Sequence, residues 1–86
     1  MPMFVVERYL PALNEAGVRA QAGREAKLPG VRHVRTMYLC EDELCFSVFE
    51  APSIAVLCAA NERSGLVFER ITEAIDVQQE GSGHVR

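Results

Sequence analysis

Four short β-prone stretches are interleaved with two helix-forming stretches, in the order strand, helix, strand, strand, helix, strand. That order constrains the fold more than any other feature of the chain. Met3–Tyr9 (MFVVERY) is apolar and β-branched at its centre and predicts a first strand, closed by Pro11. Asn14 is placed to cap a helix, its side chain accepting from backbone N–H groups two or three residues on. Residues 15–27 are rich in Ala, Arg, Glu and Gln, which favour helix, and Val18, Ala22 and Ala26 fall on one narrow apolar face. Gly17 and Gly23 each weaken this helix by about 1 kcal/mol relative to alanine, so packing must hold it. Pro29-Gly30 stops it.

Residues 31–40 and Leu44–Glu50 predict the second and third strands, joined by an exposed acidic loop, Glu41-Asp42-Glu43. Pro52-Ser53 opens a second helix, with Ile54, Leu57, Cys58 and Asn61 on one face. Arg63 suits the negative end of its dipole, and Gly65 suits the position just past its end. Residues 70–77 predict a fourth strand, with Ile71, Glu73, Ile75 and Val77 on one side. The result is an α+β chain of ferredoxin-like βαββαβ order: a four-stranded antiparallel sheet with two helices on one face. Residues 1–78 are expected to form this one domain, and the polar, glycine-bearing residues 79–86 a flexible tail.

Two helices can cover only one side of such a sheet. A sheet with one wet face should alternate apolar and polar residues. Here Phe4 and Val6 fall on one side of the first strand and Met3 and Val5 on the other. In the third strand Leu44, Phe46 and Val48 oppose Cys45 and Phe49. Both faces are apolar, so a second copy is expected to cover the open one in a twofold homodimer; the alternative is that the surplus apolar residues sit at strand ends under loops. The charged residues Glu7, Arg8, Arg35, Glu50 and Glu73 interrupt the strands and need partners or water. One reading makes them solvated edges and ordinary ion pairs. The other makes Glu7, Arg35 and Glu73, with Tyr38 nearby, the lining of a small-molecule pocket between sheet and partner.

Composition excludes several classes. Apolar residues at 49% and charged residues at 24% exclude wholesale disorder. A net charge of −3 argues against nucleic acid as a partner. RNA recognition also needs aromatics alternating on one face, whereas Phe46 and Phe49 face opposite sides. No apolar run is long enough to span a membrane. The start of the chain lacks the layout of a secretion signal, and three cysteines point to reduced thiols, so the expected location is cytoplasmic. Cys40, Cys45 and Cys58 read as structural thiols, since Cys-x4-Cys is not the usual zinc spacing. His33, in a strand, is the candidate metal ligand, and His84 lies near the end of the chain. No Ser-His-Asp set, no HExxH and no phosphate-binding glycine loop is present. An enzyme is therefore the alternative rather than the first expectation. It would be a small cofactor-independent oxygenase or isomerase of the dimeric α+β barrel kind, using Glu7 or Glu73 with Arg35 for acid–base work.

Three blocks add a family resemblance. Val5-Val6-Glu7-Arg8 resembles an opening "(V/L)VER". Cys45-Phe46-Ser47-Val48-Phe49-Glu50-Ala51-Pro52-Ser53 is similar to "CFCLFEAPS". Asn61-Glu62-Arg63-Ser64-Gly65-Leu66, then Phe68-Glu69-Arg70-Ile71 and Glu73-Ala74, resemble "NERAGLPFxRIxEA". These blocks, spanning roughly residues 4–77, belong to a small bacterial, chiefly actinobacterial, ferredoxin-like family labelled nickel-binding protein. The resemblance implies that fold, frequent homodimers, and nickel as the cofactor of some members, with no set reaction. Ala60 and Asn61 stand where some members carry histidine, Ser47 where a second cysteine is found, and Val67 where a proline is found. With only His33 and His84, an imidazole-rich nickel site cannot be assembled in one chain. Two copies of His33 with Glu7 or Glu73 would be needed.

Overall fold

The computed structural model describes residues 1–78. The expected tail, 79–86, lies outside the described residues. The elements are β1 (Met3–Tyr9), α1 (Glu15–Glu25), β2 (Arg32–Leu39), β3 (Leu44–Glu50), α2 (Ile54–Arg63) and β4 (Arg70–Ala74). The strands form one sheet in the order β2-β3-β1-β4, antiparallel throughout. This is the α+β, ferredoxin-like arrangement that the order of elements predicts.

The helix boundaries follow from their caps. The Asn14 side chain accepts from the Gly17 amide at 2.8 Å, and Ser53 accepts from the Val56 amide at 3.2 Å. Past α2, Gly65 takes a left-handed φ of 71°. There the Leu66 amide reaches back to the Asn61 carbonyl and the Gly65 amide to the Glu62 carbonyl, which closes the helix. The first helix ends at Glu25, two residues before the expected Lys27. The Lys27 and Leu28 amides bond three residues back, which tightens the turn and carries Leu28 into the core.

β4 also ends early, at Ala74 rather than Val77. Its partner runs out first: Met3 pairs with Ala74, and Pro2 before it has no N–H to extend the ladder. Ile75 and Val77 are therefore left exposed.

The core lies between the sheet and the helices. Phe4, Val6 and Phe49 from the strands meet Leu57 and Ala60 of α2, with Leu28 and Ala51 alongside. Burying each of the larger side chains contributes roughly 1.5–3 kcal/mol. The first helix departs from expectation on its inner face. Val18 and Ala22 are only half-buried and Ala26 is exposed, while Gln21 and Glu25 are fully enclosed. A polar stripe, not the apolar one, faces the sheet.

Candidate functional site

Two polar constellations are set by the parity of the strands. The first lies under α1. Arg8 follows Phe4 and Val6 on the covered side of β1, and Ser47 lies between Cys45 and Phe49 on the same side of β3. Thr36 of β2 stands opposite Ser47. Glu25 descends onto this patch. Its carboxylate accepts from Arg8 Nε at 2.8 Å, from Gln21 Nε2 at 3.0 Å, and from the hydroxyls of Thr36 and Ser47. Burial pushes the Glu25 carboxyl up, but the hydrogen bonds from Ser47, Thr36 and Gln21, with the Arg8 charge, outweigh it and hold it below the ordinary 4.5.

Thr36 gives its one hydroxyl proton to Glu25, so the 2.7 Å contact with His33 assigns the imidazole proton to Nε2, donating to Thr36 Oγ1. The ring lies edge-on to Phe49 at a centroid distance of 5.4 Å. Arg8 also donates from Nη1 to the Val67 carbonyl, leaving Nη2 buried without a partner. Cys45 lies 3.6 Å from the Ser47 hydroxyl. Burial pushes its thiol up, which suits a packed group and not a thiolate nucleophile.

The second constellation is the open face. Met3, Val5 and Tyr9 of β1, Leu44, Phe46 and Val48 of β3, and Met37 and Leu39 of β2 share its parity. Met37 is 48% exposed and Leu39 40%, high values for apolar side chains standing together on one surface. Two ion pairs flank them, Arg70 with Glu7 at 3.0 Å and Arg32 with Glu50 at 2.8 Å. Arg35 stands in the row of Thr72, Val5 and Val48, and its guanidinium makes no hydrogen bond or ion pair with the described residues. Beside it a shallow groove of about 220 Å³ crosses the sheet over Met3, Val5, Val48 and Met37, with Asp76 at the far rim.

The four residues expected to line one pocket are not all brought together: Glu7 and Glu73 border one shallow groove, Arg35 another, and Tyr38 neither. Glu7 and Arg35 are on the open face, one row apart on either side of β3. Tyr38 is one residue past Met37 and so points the other way. Its hydroxyl donates to the Leu10 carbonyl at 2.6 Å and accepts from the Leu13 amide at 3.3 Å, tying down the loop before α1. Glu73 stands opposite Phe4, on the helix-side parity, but at the exposed sheet edge it borders, with Glu7, Phe46 and Arg70, a second shallow groove. His33 shares the covered parity with Phe49, so joining two open faces does not bring two copies of His33 together.

Sequence reasoning noted that Arg8 needs a partner but missed that Glu25, Gln21, Thr36 and Ser47 supply it and its setting. The usable signal was a charged residue at the inward parity of a core strand. Its counter-charge then had to come from the covering helix.

Nickel favours imidazole and thiolate donors. Among the described residues no three His, Cys, Asp or Glu side chains converge to hold an ion. His33 Nε2 is committed to Thr36, and Cys45 is buried beside Ser47. The described residues of one subunit therefore do not fit a nickel centre. No helix is long and apolar enough to cross a membrane among the described residues.

The family model described as nickel responsive protein SCO4226-like matches residues 4–74. No curated protein and no solved structure matches the chain.

Proposed function

The chain belongs to the nickel-responsive SCO4226-like protein family, and from that premise we propose that it is a binding protein, acting as a homodimer whose open sheet faces enclose a small-molecule cleft. The observation that carries this reading is the apolar open face, with Phe46 and Val48 at its centre and Met37 and Leu39 exposed beside them. Monomers rarely present a contiguous apolar patch of this kind to water. The face also suits pairing with itself. A twofold axis parallel to the strands lays β2 of one copy over β4 of its partner, so the free edges meet on both flanks. Eight strands closed in this way leave an interior just wide enough for side chains or one small ligand.

The occupant on this reading is an organic molecule and not a nickel ion, because the open face carries neither imidazole nor thiolate among the described residues. Its polar side chains, Glu7, Arg35 and Arg70, can orient a ligand, and its valines and methionines can hold an apolar body. Val48→Asp tests the reading, since it places a charge at the centre of the face while leaving the covered side intact. The variant should keep the far-ultraviolet circular dichroism of the parent and elute as a monomer where the parent elutes as a dimer. Identical elution of the two proteins overturns the proposal.

A further inference from the structure

Ion pairing on the open face is incomplete among the described residues. Its strands carry Arg32, Arg35 and Arg70 against Glu7 and Glu50, and Asp76 lies at the rim of the groove beside Arg35. Glu50 is taken by Arg32 and Glu7 by Arg70, which leaves Arg35 without an ion pair among the described residues, beside a groove lined chiefly by Met3, Val5, Met37 and Val48. In a single subunit water solvates that guanidinium. In the dimer proposed above, on which this inference rests, the same charge enters the cleft twice, once from each copy. Enclosing an arginine with no counter-charge in contact is strongly unfavourable. An anion in the cleft removes that cost.

We infer that Arg35 is the recognition residue for a small amphipathic organic anion, its carboxylate taken by the guanidinium and its apolar body lying over Met3, Val5, Val48 and Met37. A planar guanidinium binds a carboxylate through two parallel hydrogen bonds, which a lysine or a neutral donor cannot reproduce. The groove beside it, about 220 Å³, has room for an apolar body of modest size. That volume corresponds to about seven water molecules, and a six-carbon chain fits within it. The rival source of negative charge is Asp76, at the far rim of the same groove. The twofold arrangement carries Asp76 to the side where the partner's β2 lies, so the test must separate a ligand from this carboxylate.

The experiment titrates the full chain with hexanoate, 1-hexanol and hexylammonium, followed by calorimetry, with the sedimentation coefficient measured on the same samples. Hexanoate should bind at least about tenfold more tightly than either analogue, the margin expected of one charge-assisted contact. Arg35→Gln should erase that preference, Arg35→Lys should restore part of it, and Asp76→Asn should leave it in place. A protein that sediments as a dimer and binds the three probes alike overturns the anion site and leaves the dimer standing. A monomer that still prefers hexanoate through Arg35 overturns the dimer and leaves the site. Loss of the dimer in Asp76→Asn, with no hexanoate preference in the parent, assigns the counter-charge to Asp76 and overturns the inference.

Discussion

Replacing Glu25 with leucine tests the buried network most severely. The side chain is fully enclosed and accepts four hydrogen bonds, one of them from Arg8, which is itself 1% exposed. Glu25→Leu keeps the helix and most of the volume but strands a guanidinium in the core. Breaking a buried pair from one side costs about 3–5 kcal/mol, because the remaining charge has neither water nor a partner. An 86-residue domain has a total stability of only roughly 4–13 kcal/mol. The single substitution should therefore remove about a quarter of it or more. Removing both charges, in Arg8→Met with Glu25→Leu, replaces the pair by apolar groups of similar size and should recover the part of the loss due to the stranded guanidinium, while Gln21, Thr36 and Ser47 still lack their acceptor. Urea unfolding at neutral pH, followed by circular dichroism, measures both variants against the parent. If the single variant does not fold at all, the return of a cooperative transition in the double variant gives the same information. A loss below about 1 kcal/mol, or a double variant no better than the single, refutes the reasoning.

Two further outcomes follow from the same structure. Glu25 has a carboxyl held below 4.5, so the native state binds fewer protons than the unfolded chain as pH falls past that value. Its contribution is complete above 4.5 and is lost as pH drops through the lowered value, and Glu25→Gln should flatten that part of the stability–pH curve. Gly65 has a φ of 71° and nothing within 4 Å of an added Cβ, so Gly65→Ala should cost about 1 kcal/mol in thermal or urea unfolding through backbone strain alone.

The element order, both N-caps and the glycine that ends α2 were legible because each rests on local chemistry: Asn14, Ser53 and Gly65 act on amides and carbonyls a few residues away. The two apolar faces were legible for the same reason, since Met3 and Val5 must oppose Phe4 and Val6 in any strand. What was not legible depended on distant partners. Nothing near Val77 in sequence says that β1 stops at Met3 and leaves β4 without a neighbour. The inner face of α1 likewise depends on a distant partner, since Arg8 on the sheet requires Glu25, and not the stripe of Val18, Ala22 and Ala26, to point inward. Tyr38 left the proposed pocket because it takes the opposite parity to Arg35, and Arg35 lies a row away from the groove that Glu7 and Glu73 share; the bulge in β2 put His33 and Arg35 on opposite faces.

Sedimentation equilibrium of the intact chain tests the central claim most directly. The covered face is closed by its own helices and the open face is apolar, so the account predicts a molar mass of twice 9.5 kDa at micromolar concentration. A mass of 9.5 kDa that persists into the hundred-micromolar range (roughly a hundredfold above where a stable interface forms) contradicts it.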